Sequence, residues 1–294
     1  MRLPLKPVDM LSLSMIALLS AVTVVFSRSL PSWGWLITRY CLLAFAIVAI
    51  ALYNRQSHAW KPVRTLYEFL PIFIIPVIFD SLGDLIPSIW QRFLDDILIH
   101  IDHGLFGVHP TVWMERFIQP VLTDFLQLAY ASYYFIPISL GIVLAVRKKE
   151  KNFDEAVFGI VLCFYLSYIG YLLFPAIGPR FTLNHLQTTG FQASPMALAI
   201  QNALNRLENT KTDAFPSGHT AVALMTLYYA WKARENVLFW VLFPVVSALV
   251  ISTVYLRYHY VIDVIAGILL NAFTIYLAPR IYKALSPSSN QSHG

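Results

Sequence analysis

The sequence predicts an all-α protein: a polytopic bundle of six to eight transmembrane helices with one amphipathic helix at the membrane interface. Of the 294 residues, 57% are hydrophobic and only 13% are charged, whereas soluble domains carry about a quarter charged residues. The mean hydropathy is +0.62, and a soluble core of this length could not bury so much apolar surface. Apolar runs close to the length of about 20 residues that crosses a bilayer recur along the chain.

Eight apolar runs are candidate spans. They are 9–27, 36–53, 67–88, 119–146, 156–175, 217–232, 237–257 and 261–279. The third contains Pro71 and Pro76, with Asp80 and Asp84 near its end, which predicts a kinked or re-entrant helix with interfacial carboxylates. The sixth is short and opens with a polar turn. No small-residue cleavage site follows Val25, so we expect a retained first span and not a signal peptide.

The segments between the runs divide the chain into three regions. From Ile89 to Ile101, apolar residues recur at helical spacing with polar residues between them, which predicts the amphipathic interfacial helix. The segment 175–214 is loop-like, with a short helix predicted over Pro195–Leu207. The regions are 1–118, with N-terminal spans and the interfacial helix; 119–285, the transmembrane core with the motifs described below; and 286–294, a polar tail predicted to be disordered.

The basic residues predict the topology. The net charge is +5, but Lys and Arg cluster between apolar runs and form no single face, so we expect no nucleic-acid partner. With the N-terminus inside, most of them fall on one side of the membrane, which is expected to be cytoplasmic. The motifs described next then fall on the non-cytoplasmic face, whether of a plasma or inner membrane or toward an organelle lumen.

Three short motifs lie at the ends of spans on that same face. Gly178-Pro179-Arg180 follows the fifth span, and Pro216-Ser217-Gly218-His219 opens the sixth. His259 follows the seventh span, and Asp263 opens the eighth. Each motif is therefore placed where a side chain can reach a polar headgroup while its helix stays in lipid.

The second motif is typical of a phosphate-binding helix start. Pro216 favours helix initiation and Ser217 can cap the helix. Gly218 leaves the backbone N–H groups accessible, and such groups bind phosphate together with the helix dipole. His219, one residue further, can donate a proton to a leaving oxygen. An ordinary capped helix with an interfacial histidine is an equally good explanation of this motif alone.

The third motif supplies a candidate nucleophile. His259 and Asp263 are four residues apart on one helix face, where a carboxylate can hold an imidazole N–H. The other ring nitrogen of His259 then stays basic. Arg180 offers a forked donor for phosphate oxygens. A structural His–Asp pair and a headgroup anchor explain these residues singly, but the three motifs together indicate a phosphoryl-transfer site.

The motifs resemble those of the type 2 phosphatidic acid phosphatase superfamily. It covers lipid phosphate phosphatases, undecaprenyl-pyrophosphate phosphatases, lipid phosphotransferases and vanadium haloperoxidases. The similarity covers about residues 120–280. It implies that His259 forms a phosphohistidine, Asp263 orients it, His219 is the general acid, and Arg180, Ser217 and Gly218 bind phosphate. It also implies a phospholipid, isoprenoid or sphingolipid substrate from the bilayer, with no metal ion and no cofactor.

Two family cations are missing from this chain. The first family motif begins with a lysine, whose place is taken by Leu173, and its arginine is followed by proline where this chain has Phe181. The third motif has an arginine at the position of Thr253; Arg257, one helical turn later, is a candidate substitute. A phosphate site with two fewer cations predicts a less charged substrate group, such as a phosphodiester.

These departures resemble the subgroup that contains fungal inositol-phosphorylceramide synthase. A segment that runs from Leu94-Asp95-Asp96 to Asp102-His103-Gly104-Leu105-Phe106-Gly107, ahead of Pro110 and Trp113, is also similar to members of that subgroup. The resemblance implies headgroup transfer between lipids beside hydrolysis. Gly218 is instead the phosphatase-like residue, where the fungal synthases have a bulkier one, so both reactions stay open.

Other functions fit parts of the sequence. A non-catalytic lipid carrier or scaffold with a decayed site is the alternative, motivated by Leu173 and Thr253. Vanadate haloperoxidases share the motif residues but are soluble enzymes, so the eight apolar runs argue strongly against that activity.

A metal site is also not expected. Three histidines and three carboxylates lack tight metal-ligand spacing and are interpreted as a wet amphipathic helix and loop: His100, His103, His109, Asp95, Asp96 and Asp102. Cys41 and Cys163 are predicted to be small core residues without a disulfide, and the oligomeric state stays open.

Overall fold

A computed structural model describes residues 5–56, 58, 60–190, 192–207 and 210–286. The helices are α1 (Pro7–Val25), α2 (Trp33–Asn54), α3 (Lys61–Glu68), α4 (Pro71–Ile89), α5 (Asp95–Phe106), α6 (Pro110–Trp113), α7 (Pro120–Ala131), α8 (Phe135–Val146), α9 (Glu150–Leu173), α10 (Pro179–Thr182), α11 (Pro195–Leu207), α12 (Gly218–Lys232), α13 (Asn236–Tyr255) and α14 (Val261–Leu285). Short 3-10 turns cover Met114–Phe117, Ser132–Tyr134 and Asn184–Leu186. The predicted disordered tail lies outside the described residues, except for Ser286.

Within the described residues, seven helical segments are long and apolar enough to cross a membrane. They are α1, α2, α4, the α7–α8 pair, α9, α13 and α14. The centre of the bundle is α9, which packs against α1, α4, α8, α12 and α14. The prediction of an all-α, polytopic bundle is therefore confirmed, and the chain is a multi-pass membrane protein.

The helix α12 is shorter than these seven but runs between the same two ends of the bundle. At its start, Pro216 packs so closely on α9 that a Cβ on Gly170 would lie 2.4 Å from the proline ring. At its end, Lys232 pairs with Glu155 of α9 at 2.9 Å. Because α9 and α12 are antiparallel and touch at both ends, α12 adds an eighth pass through the bundle.

The interfacial helix differs from its predicted bounds, and the third span differs from its predicted shape. The interfacial helix predicted over 89–101 was wrong in its start: α4 extends to Ile89, and α5 covers Asp95–Phe106. The segment between α4 and α5 is held near the end of α9, because the Leu94 N–H donates to the Pro175 carbonyl at 2.9 Å. The third span is not re-entrant, since α4 is an unbroken helix. The short helix predicted over Pro195–Leu207 is confirmed.

One end of the bundle carries a network of ion pairs. Glu235 is 2% exposed in its side chain and pairs with Lys149 at 2.6 Å and Arg147 at 3.1 Å. On the same end, Lys6 pairs with Asp154 at 3.1 Å. These contacts tie together the N-terminus, the α8–α9 loop and the α12–α13 loop. We call this the basic end, and the three motifs lie at the opposite end.

The surface of the bundle is typical of a protein in lipid. All seven tryptophans have exposed side chains near one end or the other: Trp33, Trp35, Trp90 and Trp113 at the motif end, and Trp60, Trp231 and Trp240 at the basic end. Such belts mark the two membrane interfaces. Cys163 is buried as predicted, but Cys41 is exposed on α2, so its assignment to the core was wrong. Apolar composition alone does not distinguish a lipid-facing position from a core position.

The contact between α14 and the start of α12 depends on Gly267. A Cβ on this residue would lie 2.5 Å from the Ser217 carbonyl oxygen and 3.1 Å from the Thr220 side chain. We expect Gly267→Ala to lower the melting temperature, because overpacking costs about 1–3 kcal/mol. Gly34→Ala is the matched control, since no atom lies within 4 Å of its Cβ position. Equal melting temperatures for the two variants in detergent would contradict this packing.

Candidate active site

The three motifs are joined by backbone hydrogen bonds. Three such bonds link them: Ala214 N–H to Ala176 O at 3.0 Å, Ser217 N–H to Asp263 O at 3.0 Å, and Arg180 N–H to Arg257 O at 2.9 Å. The structure therefore brings together all three motifs at one end of the bundle. Their register is set by main-chain contacts, independently of the side chains that the sequence singled out.

His259 is buried, and both of its ring nitrogens have defined neighbours. Nδ1 lies 2.7 Å from the Ala214 carbonyl oxygen, and Nε2 lies 3.5 Å from Nδ1 of His219. A carbonyl oxygen only accepts hydrogen bonds, so Nδ1 carries the proton in the neutral imidazole. That tautomer makes Nε2 the basic nitrogen and directs it toward His219.

Asp263 lies beside His259 but makes its short hydrogen bond elsewhere. One of its carboxylate oxygens is 3.4 Å from His259 Nδ1, and the same oxygen accepts the Tyr260 N–H at 2.8 Å. The nearer partner of His259 is therefore the Ala214 carbonyl, which the sequence did not reveal. Asp263 caps the start of α14 and places a carboxyl group beside Nδ1.

His219 is held in a column of stacked rings. Its imidazole packs between Tyr130, at 4.7 Å between ring centroids, and Tyr133, at 4.2 Å. Tyr130 stacks in turn on Tyr258 at 4.3 Å. The Arg180 guanidinium lies over the Tyr258 ring, 4.7 Å from its centroid. The column fixes His219 and Arg180 relative to each other, and its tyrosines carry no motif that sequence reasoning recognised.

Ser217 and Gly218 have packing roles in the structure. The Ser217 hydroxyl oxygen accepts the Thr220 N–H at 3.3 Å and is fully buried, so it caps α12 as expected. A Cβ on Gly218 would lie 2.1 Å from the Tyr171 hydroxyl oxygen. This close approach explains glycine at position 218 without reference to the reaction. The predicted phosphate contacts of both residues stay predictions.

Two buried carboxylates of α5 clamp the motif loops. Asp95 accepts the N–H groups of Ile177 at 3.0 Å and Gly178 at 2.9 Å. It also accepts the Tyr260 hydroxyl at 2.8 Å, and thereby joins the first motif to the third. The interpretation of α5 as a wet helix was wrong for this residue, which is 4% exposed.

Asp102 holds the start of α14 from the same face of α5. Its two oxygens accept the N–H groups of Val261 and Ile262, each at 2.8 Å. Burial raises the pKa of Asp102, and the two N–H donors oppose that rise. A carboxylate at a helix N-terminus satisfies N–H groups that have no partner within the helix. The side chain is 1% exposed, so the prediction of a solvent-exposed residue was wrong for Asp102 too.

The candidate substitute for the missing arginine forms hydrogen bonds and an ion pair with protein groups. The Arg257 guanidinium binds Glu115 at 3.0 Å and the Gln187 side chain at 2.8 Å. Burial lowers the pKa of Arg257, and the Glu115 charge opposes that change. Arg257 therefore pins the loop after α10 to the segment before α7. Leu173 is exposed, and the Thr253 hydroxyl donates to the Val250 carbonyl at 2.8 Å.

An apolar cavity of about 270 Å³ opens beside His219. Its walls come from α4, α8 and α9, and it extends along α9 from Tyr171 to Val157, a rise of about 21 Å. The Nε2 atom of His219 makes no hydrogen bond to any residue that the structure describes. A cavity of this length, apolar along its walls and polar at the histidine, suits a lipid with its phosphate at His219.

The fold defines a multi-pass membrane protein in which two buried histidines face each other at one end of the bundle. The family model of the PAP2 superfamily matches residues 96–277. The chain therefore belongs to the PAP2 superfamily, the type 2 phosphatidic acid phosphatases that the motifs resemble. The match begins within α5, ahead of the region where the motifs alone indicated similarity.

Two relatives support a lipid phosphatase or phosphotransferase. Phosphoinositol dihydroceramide synthase from Bacteroides thetaiotaomicron is 26% identical over 259 residues, which cover 83% of this chain and 77% of that protein. A PA-phosphatase related-family protein from Dictyostelium discoideum is 25% identical over 185 residues, which cover 55% of this chain and 33% of that protein. No solved structure matches the chain significantly. The predicted similarity to the inositol-phosphorylceramide synthase subgroup is confirmed by the first relative.

The α5 clamps can be tested by substitution. We expect Asp102→Asn to lower both the melting temperature and kcat, because one of two buried N–H groups loses its acceptor at a cost of about 1–3 kcal/mol. Asp96→Asn is the matched control, since Asp96 is exposed on the same helix. Thermal unfolding and turnover are measured on purified protein. An Asp102→Asn variant that matches Asp96→Asn in both would disprove the clamp.

Proposed function

We propose that the chain is a membrane lipid phosphotransferase that moves a phospho-headgroup from a donor phospholipid to a lipid alcohol through a phosphohistidine on His259. The observation that carries the proposal is the 2.7 Å hydrogen bond between His259 Nδ1 and the Ala214 carbonyl. It makes Nε2 the nucleophilic atom and aims it at the second histidine. A nucleophile held by one group and faced by an acid–base residue is the arrangement that covalent catalysis requires.

In the first step, His259 Nε2 forms a bond to phosphorus and the bond from phosphorus to the donor's lipid oxygen breaks. His219, protonated at this stage, gives its proton to the leaving oxygen. Arg180 binds the non-bridging oxygens, where negative charge accumulates. Asp263 and the Ala214 carbonyl stabilise the positive charge that His259 acquires.

In the second step, the hydroxyl oxygen of the acceptor lipid forms a bond to phosphorus and the bond from phosphorus to Nε2 breaks. His219 takes the hydroxyl proton and returns to its starting state. Water in place of the alcohol gives hydrolysis at the same site. The apolar walls beside His219 favour the lipid alcohol, since they accept an aliphatic chain and offer little to water.

The substrate group carries a single negative charge, as in a phosphodiester headgroup. At the two positions of the missing family cations, Leu173 is exposed and the Thr253 hydroxyl bonds to its own helix. A phosphate monoester or pyrophosphate would leave charge without a partner there. Together with the bacterial relative, this supports phosphoinositol as the headgroup and a dihydroceramide-like lipid as the acceptor.

Hydrolysis of a lipid phosphate or isoprenoid pyrophosphate is the second candidate. Gly218 favoured it in the sequence, because the phosphatases have glycine at this position. The close approach of Tyr171 to Gly218 gives another reason for that glycine, so the residue no longer separates the two reactions. The site works at the non-cytoplasmic face, since the basic end lies at the opposite end of the bundle.

The histidine roles predict distinct losses of activity. We expect His259→Ala to abolish turnover, because no other atom replaces Nε2, and His219→Ala to lower the rate by about 10²–10⁴. His100→Ala is the matched control, since His100 is exposed on α5. The measurement follows transfer from phosphatidylinositol to fluorescent ceramide in detergent, with phosphate release from phosphatidate and isoprenyl pyrophosphate in parallel.

The two assays separate the candidate functions. Headgroup transfer that requires His259 supports the transferase. Free phosphate that requires His259 supports the phosphatase. Undiminished turnover in His259→Ala rules out both, and absence of turnover in the wild-type protein with every lipid leaves the non-catalytic scaffold.

A further inference from the structure

The cavity beside His219 has a second polar residue at the same end. Asp213 lines it together with His219, Tyr168 and Tyr171. The only other carboxylate on its lining within the described residues is Glu68, at the far end near the basic end of the bundle. The polar groups of the cavity are thus concentrated where the phosphate-bearing end of a lipid would lie.

The position of Asp213 is fixed by the site itself. Asp213 pairs with Ala176 in a short parallel bridge. Its neighbour Ala214 supplies the carbonyl that binds His259. The Asp213 carboxylate also interacts electrostatically with the hydroxyls of Tyr168 and Tyr171. The position of Asp213 is therefore coupled to that of the Ala214 carbonyl, which accepts the hydrogen bond from His259.

The charge of Asp213 selects which part of a substrate can lie beside it. A carboxylate repels phosphate oxygens, which Arg180 attracts instead. An ionised carboxylate only accepts hydrogen bonds, and it has about four acceptor sites, so it can bind a ligand donor in addition to protein groups. The matching part of a lipid is an amide N–H or a second hydroxyl close to the reacting oxygen.

We infer that Asp213 is the specificity residue for the acceptor, and that it binds the amide N–H of a sphingoid-type lipid. This inference rests on the proposed function and identifies the residue that chooses the substrate class. Diacylglycerol has the same reacting hydroxyl and similar chains but no further hydrogen-bond donor. A site that hydrogen-bonds such a donor binds an analogue without it more weakly, because the carboxylate then loses that hydrogen bond to the ligand.

The test measures binding and does not depend on turnover. Purified full-length protein in detergent is titrated with fluorescent ceramide, with its N-methylated analogue and with fluorescent diacylglycerol. We expect the wild-type protein to bind ceramide about 10-fold more tightly than either analogue. Asp213→Asn, which removes the charge at constant size, is expected to abolish most of this preference. Glu68→Gln, at the other end of the same cavity, is the matched control and is expected to keep it.

The outcomes are distinct from those of the proposed function. Equal affinity of the wild-type protein for ceramide and N-methylceramide would overturn the role of an N–H donor, and the comparison needs no variant. An equal loss of preference in Asp213→Asn and Glu68→Gln would overturn the assignment to Asp213. Loss of the preference for ceramide in Asp213→Asn, with the preference kept in Glu68→Gln, supports it. Failure of the His259 assays alone would count against the transfer reaction and leave the binding result standing.

Discussion

The arrangement of the site depends on the hydrogen bond between His259 Nδ1 and the Ala214 carbonyl. This bond selects the imidazole tautomer and thereby decides which nitrogen is basic. Ala214 is itself fixed by the bond of its N–H to Ala176, which belongs to the loop that carries Arg180. A displacement of any one of the three loops would therefore change both the basicity of His259 Nε2 and the distance of His259 from Arg180.

The surrounding structure maintains this geometry from two sides. On one side, Asp95 and Asp102 of α5 bind backbone N–H groups of the first motif and of the start of α14. On the other, the tyrosine column places His219 and Arg180 at fixed positions. Charged clamps suit the loops and helix starts at this end of the bundle, where backbone N–H groups have no partner within a helix. Stacked rings suit the buried interior of the site, because they position polar groups without adding further charge.

The sequence was sufficient for the fold class and for the placement of the motif residues at one end. The length of an apolar run predicts a membrane span, and the basic residues between the runs predict which side of the membrane each loop lies on. His219, His259, Asp263 and Arg180 lie together as the motifs indicated. The Ala214 carbonyl could not be foreseen, because a backbone acceptor has no side-chain signature.

Other features escaped the sequence because they depend on tertiary contact. Asp95 and Asp102 have partners far along the chain, so their spacing on α5 resembled that of a solvated helix. The exposure of Cys41 could not be read from its neighbours, since lipid-facing and buried positions are equally apolar. Tyr130 and Tyr258 became recognisable as site residues only through their stacking.

The most direct test of this account is the identification of the phosphorylated atom. Protein quenched during turnover with phosphatidylinositol is digested and examined by mass spectrometry and phosphorus NMR. The account predicts a phosphoinositol group on Nε2 of His259, because Nδ1 carries a proton and donates a hydrogen bond to the Ala214 carbonyl. A group on His219, or on Nδ1 of His259, would contradict it, as would turnover without any covalent adduct under conditions that preserve phosphohistidine.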